Sequence, residues 1–283
     1  MREVLEAAMR AEARGERAAL VTVVSTEGST PQKAGARMLV YADGGIVGTI
    51  GGGCLEAEMT WRAREAIEGR RPKLVSYDLT PDQAGEDGLV CGGRMQVFIE
   101  PIEGTPVLCL FGAGHVAQPL ARLAKACGFR VEVADDRVKF ANAERFPEAD
   151  LLVVDDFAAA ASKMTLGPNS FAVVVTRGHR GDAEALRAVL DRGLRFVGLL
   201  GSRPKVVHIF AALQESGVSR EALAGVHAPL GLEIGAETPD EIAVSILAEM
   251  IAVRRGVEPS RARSMKMDLP GRLAPDKKAE ASS

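Results

Sequence analysis

Aromatic residues make up only 4% of the 283-residue chain, and tryptophan occurs once. So few rings exclude the stacking platforms on which proteins lay out single-stranded nucleic acid. Lys and Arg number 35 against 38 Asp and Glu, a formal charge of −3. That balance supplies no pull toward phosphate backbones or anionic membranes. The most apolar runs, such as "FAVVV", are strand-sized, whereas a bilayer span needs about 20 residues. The opening "MREVLEAAMRAEARGER" is charged throughout and lacks the apolar centre of a secretory signal. Four cysteines, at 54, 91, 109 and 127, form no C-x-x-C pair and have no zinc spacing. These absences predict a protein of the reducing cytoplasm with no nucleic-acid partner, no membrane association and no metal site.

What is present reads as two globular parts, in keeping with 47% hydrophobic and 26% charged residues. Residues 1–101 predict a small α+β domain. Val4, Leu5, Ala8 and Met9 share one face of an opening helix, and "AALVTVVST" is a strand. "ARMLVYADGGIVGTIG" is a hairpin about "DGG". Leu55, Met59, Ala63, Ala66 and Ile67 recur at spacings of three and four, which predicts a helix after Cys54. "KLVSYDL" and "RMQVFIEP" add strands, and "IEGTP" at 102–106 has linker composition.

Residues 106–256 change pattern. "VLCLFGAG", "RVEVADD", "DLLVVDD", "FAVVVTRG" and "RFVGLLGS" are apolar strands, most of them separated by helix-like segments. Such alternation predicts a Rossmann-like, doubly wound parallel sheet. The helix after the first strand carries Val116, Leu120, Leu123, Ala124 and Cys127 on one face. Thr238-Pro239-Asp240-Glu241 spells a capping box with proline at the first helical position. The polar, proline-bearing stretch 257–283 reads as a loosely held tail.

Gly112-Ala113-Gly114-His115-Val116-Ala117 fits G-x-G-x-x-G/A between a strand and a helix, with Asp135 about twenty residues on. In that context Gly112 makes the tight turn and Gly114 admits a phosphate to the helix N-terminus. Asp135 would accept hydrogen bonds from ribose hydroxyls, which disfavours a 2′-phosphate. NAD or another adenine nucleotide is therefore a candidate ligand of Gly112, Ala113, Gly114, His115 and Asp135. A dehydrogenase also needs an acid or base beside the nicotinamide. Of the four histidines only His179 follows a strand's carboxyl end, and no partner for it stands out.

The second candidate site is "TIGGGCLEAEM". Glycine runs cost backbone entropy, so Gly51, Gly52 and Gly53 imply special dihedrals or close approach. Cys54 follows where a helix starts. A thiol there meets the positive end of the helix dipole and unpaired N–H groups, the setting of reactive cysteines. Cys91, in "GLVCGGRM", has glycine neighbours too. Cys54 and Cys91 are the candidates to carry chemistry, with small apolar residues in tight turns as the plain alternative.

Taken in order, "STEGSTPQKAGARMLV", "GTIGGGCLEAEM", "GLVCGGRMQVFIEP", "FGAGHVAQPLARLA", "VGLLGSRPK" and "PLGLEIGAETPDEIAVSILAEMIA" resemble the xanthine dehydrogenase accessory protein family of XdhC/CoxI type, over roughly residues 1–256. The resemblance implies a chaperone for molybdenum cofactor rather than an enzyme with its own turnover. Such a protein holds molybdopterin while a cysteine desulfurase supplies sulfur, then passes it to an apo molybdenum hydroxylase of the xanthine dehydrogenase type. It touches Gly51, Gly52, Gly53, Cys54 and Glu56, then Cys91, Gly92 and Gly93, then Gly112, Gly114 and His115. A homo-oligomer is expected as well. The competing readings are an NAD(P)-dependent oxidoreductase of the Rossmann class and a purely regulatory nucleotide-sensing module.

Overall fold

The computed structural model describes residues 1–79 and 93–262. Cys91, Gly92 and the greater part of the expected tail lie outside the described residues. Two five-stranded sheets organise the rest, and no strand is shared between them.

The first sheet has the order β3-β2-β1-β5-β4. Its strands are β1 (Ala18–Glu27), β2 (Arg37–Tyr41), β3 (Ile46–Gly48), β4 (Lys73–Asp78) and β5 (Arg94–Ile102), all paired antiparallel. Alternation along β5 sends Met95, Val97 and Ile99 to one face. Helix α2 (Gly53–Gly69) covers that face with Leu55, Met59, Ala63, Ala66 and Ile67, the five residues of the predicted stripe, all buried. Each large aliphatic side chain so removed from water stabilises the fold by about 1.5–3 kcal/mol.

Helix α1 (Arg2–Arg14) packs on the opposite face through Val4, Ala7, Ala8 and Ala11 against Ala18 and Leu39. This corrects the predicted stripe, because Leu5 and Met9 are 38% and 69% exposed. The buried face is built from alanines, which let the helix approach the sheet closely, and the larger side chains stand at its margin.

The second sheet is parallel, in the order β10-β9-β6-β7-β8. It comprises β6 (Val107–Phe111), β7 (Arg130–Asp135), β8 (Leu151–Val154), β9 (Ser170–Val174) and β10 (Phe196–Leu199). Central β6 is buried on both faces, as parallel strands must be when helices cover each side. Leu108 and Leu110 face α3 (Ala117–Ala126) and α8 (Pro239–Arg254). Cys109 and Phe111 face the other layer, formed by α4 (Phe157–Lys163), α5 (His179–Val189), α6 (Arg203–Glu215) and α7 (Arg220–Ala224). The capping box opening α8 forms with both of its reciprocal bonds.

Chain order fixes where a ligand would enter. From β6 the chain moves outward through β7 and β8, then returns to the far side of β6 for β9 and β10. The switch point therefore lies between β6 and β9, and α3 and α5 leave it toward opposite faces.

Candidate functional site

Gly112, the residue after β6, has φ of 109°, a left-handed conformation that L residues avoid. A Cβ there would stand 2.5 Å from the Val175 carbonyl oxygen. The glycine is required because the backbone just past β9 passes this close to it. Gly114 is different, since no atom lies within 4 Å of where its Cβ would stand. The amides of Gly114, His115 and Val116 find no acceptor among the described residues. An open glycine followed by free amides at a helix start is a cradle that fits a phosphate. His115 is exposed beside it.

The amide of Ala113 is taken. It donates to Asp135 Oδ2 at 2.8 Å. Asp135, 1% exposed, also receives Arg137 Nε and the Arg137 amide on Oδ1 and Arg137 Nη2 on Oδ2. Burial alone would raise the Asp135 carboxyl, but the bonds from Arg137 and Ala113 outweigh it and hold the group below its ordinary value.

A cleft of about 670 Å³ opens beyond this pair, lined by Asp135 and Arg137, by Phe157, and by Thr176, Arg177 and His179. It sits at the carboxyl ends of β7, β8 and β9, where open α/β sheets take their ligands. His179 is the first residue of α5 and is exposed. Its ring lies 5.3 Å from that of His208 on α6, a neighbour that sequence separation concealed.

In the first sheet's unit the three glycines all adopt positive φ, at 138°, 77° and 58° for Gly51, Gly52 and Gly53. Close approach explains one of them, because a Cβ on Gly51 would lie 2.5 Å from Pro31 Cγ. Gly93 meets the same loop from another side, where a Cβ would lie 2.5 Å from the Glu27 carbonyl oxygen. The segment from Glu27 to Pro31 is thus fitted against glycines from both cysteine motifs. Close approach here serves the chain's own packing.

The loop ahead of α2 already holds an anion. Glu56 Oε1 accepts from the Gly52 amide at 2.9 Å and the Ile50 amide at 3.1 Å, and Thr49 Oγ1 donates to the same oxygen. Burial pushes the Glu56 carboxyl up, but the bonds from Thr49, Gly52 and Ile50 together bring it below its ordinary value. It therefore stays ionised at neutral pH. Cys54, in the first turn of α2, is exposed and free.

The remaining thiols divide. Cys109 is buried, its Sγ 3.4 Å from the Thr165 carbonyl, and burial drives its pKa well up. The α3 stripe predicts a buried Cys127, but α3 ends at Ala126 and Cys127 is exposed in the cap that follows. No residue of the Cys54 loop is among those that line the cleft. No group of three or more His, Cys, Asp or Glu side chains there could hold a metal ion. No helix among them is long and apolar enough to cross a membrane.

Comparison with known proteins adds descent to geometry. The chain is 41% identical over 237 residues to the uncharacterized protein YqeB of Escherichia coli (strain K12), an alignment covering 83% of this chain. It spans only 43% of that protein's length. It is 27% identical over 319 residues to a probable xanthine dehydrogenase subunit of Bacillus subtilis (strain 168), covering 86% of this chain and 94% of the relative. It is 25% identical over 292 residues to the molybdenum cofactor insertion chaperone PaoD of Escherichia coli (strain K12), covering 89% and 88%. Residues 108–250 match the XdhC Rossmann domain, and residues 11–78 match the XdhC and CoxI family. The chain belongs to the XdhC and CoxI family.

Proposed function

We propose that this protein is an accessory factor that carries molybdenum cofactor. It holds the molybdopterin form as cargo, presents it to a cysteine desulfurase for sulfuration, and passes it to an apo hydroxylase of the xanthine dehydrogenase type. The observation that carries the reading is the exposed Cys54 on the first turn of α2, in a chain related over 89% of its length to a molybdenum cofactor insertion chaperone. A soft sulfur ligand suits molybdenum and its sulfur. Cys91 is proposed as a second such thiol. The second unit supplies the phosphate cradle at the amides of Gly114, His115 and Val116, which suits the phosphate of a pterin or of an adenine nucleotide. Free cysteines suit a reducing compartment, and we place the protein in the cytoplasm.

Carriage needs a shielded pocket and an exit, whereas turnover needs a positioned proton donor or acceptor. A nicotinamide-dependent oxidoreductase is the second reading, favoured by the open Gly114. The test is retention of cofactor on gel filtration after anaerobic incubation with isolated molybdopterin, read by pterin fluorescence. The parent should co-elute with pterin, and Cys54→Ala should retain it at least about ten-fold less at unchanged circular dichroism, a loss of about 1.4 kcal/mol. Equal retention by the variant removes Cys54 from the site. No retention by the parent removes the carrier reading.

A further inference from the structure

The pairing at the end of β7 turns a carboxylate position into a guanidinium position. In dinucleotide folds this is where the adenosine ribose is read: a carboxylate takes the 2′-hydroxyl, whereas a nearby arginine takes a 2′-phosphate. An ionised carboxylate offers about four acceptor positions. Asp135 fills them with the Ala113 amide, the Arg137 amide, Arg137 Nε and Arg137 Nη2, at 2.7–3.1 Å. Nothing is left over for a ribose diol. Asp135 is also 1% exposed, whereas the Arg137 side chain keeps 24% of its surface and lines the cleft.

Resting on the proposal that the second unit binds a phosphate-bearing ligand, we infer that the cleft recognises a phosphomonoester, with Arg137 and Arg177 as its cationic contacts. Arg137 is held on two sides. Its guanidinium lies 3.6 Å from the centre of the Phe140 ring, and Nε and Nη2 are committed to Asp135. Nη1 has no acceptor among the described residues and remains available as a donor. Arg177, from the end of β9, reaches Asp136 at 3.1 Å, and Arg137 Nε lies 3.5 Å from the same carboxylate. Two guanidiniums thus converge on one rim carboxylate. The neighbouring Asp156 is occupied in capping α4 through the Ala159 amide at 2.7 Å. Pre-positioned guanidiniums match phosphate oxygens in a way that a hydroxyl pair cannot exploit. Asp135 acts through Arg137 and is a positioning residue.

A phosphomonoester could belong to the 2′-phosphate of an adenine dinucleotide or to the phosphate of a pterin cofactor. Calorimetry on the full chain with NADPH, NADH and molybdopterin separates these sources. For a nucleotide, NADPH should bind at least about ten-fold more tightly than NADH. In Arg137→Ala that preference should vanish or reverse, because Asp135 regains free oxygens for the ribose. For a pterin, neither dinucleotide should bind, and molybdopterin affinity should fall at least about ten-fold in Arg137→Ala. Should Arg137→Ala fail to fold, Arg177→Ala, whose side chain is 66% exposed, and the parent's own NADPH-to-NADH ratio carry the test. Binding NADH as tightly as NADPH would overturn the inference while leaving the ligand-binding proposal intact. Binding none of the three would overturn that proposal and the inference with it.

Discussion

Among Cys54, Cys109 and Cys127, brief iodoacetamide treatment of the native protein at neutral pH should modify Cys54 first, Cys127 more slowly, and Cys109 on a far longer timescale. Cys54 and Cys127 are exposed and Cys109 is buried, so reagent reaches Cys109 only when β6 opens. Central strands open near the global unfolding free energy of about 5–15 kcal/mol, which slows labelling by on the order of 10³-fold or more. Burial also drives the Cys109 pKa well up, which starves the reaction of thiolate. Between the exposed pair, helix polarity decides. Cys54 stands in the first turn of α2, where N–H groups point outward, and Cys127 stands at the end of α3, where carbonyls do. Peptide mapping by mass spectrometry against time checks the order. Native-state labelling of Cys109 alongside Cys54 would contradict it.

Gly112→Ala should destabilise the protein by about 2–6 kcal/mol, from about 1–3 for the forced left-handed backbone and about 1–3 for overpacking. The new Cβ would meet the Val175 carbonyl oxygen at 2.5 Å and Thr176 Cα at 2.9 Å. Those atoms are backbone at the end of a central strand, so the clash is relieved only by moving the strand. At about 2–4 °C per kcal/mol for chains of this size, the melting temperature should fall by about 4–24 °C. Gly114→Ala is the matched control. It has open space and no left-handed φ, so its change should stay within about 1 kcal/mol. Equal melting temperatures for the two variants would show that the turn at Gly112 tolerates a side chain.

The parallel sheet was legible because its strands are short apolar runs, and the full burial of β6, β9 and β10 leaves no polar alternation to confuse the period. The stripe on α2 was legible for the complementary reason, since one face meets a sheet and the other meets water. The opening helix misled because its buried face is made of alanine, which carries little hydrophobic signal, while Leu5 and Met9 do carry one. Cys127 misled because the α3 stripe runs right up to the helix end, and a single residue past that end turns toward solvent.

At the candidate sites, residue types were readable and partners were not. The glycines near Cys54 announced special geometry, yet that Gly51 and Gly93 both answer to the segment 27–31 depends on contacts far apart in sequence. The run "EVADDR" contained both Asp135 and Arg137 two residues apart. Only the turn after β7, which folds the guanidinium back onto the carboxylate, shows that the acid is already satisfied. In the same way Glu56 was visible as an acidic residue in the first turn of a helix. Its role as the anion inside the glycine loop follows from dihedrals at Gly51–Gly53 that sequence does not specify.

The proposed carriage of cofactor to a client is tested most directly on the client itself. A xanthine dehydrogenase-type hydroxylase should be produced with and without this protein, then assayed for molybdenum and for cyanide-releasable sulfur per active site. Several-fold more sulfur-loaded cofactor should be found in the client when the protein is present. A client that acquires equal molybdenum and equal cyanide-releasable sulfur in its absence would contradict the account.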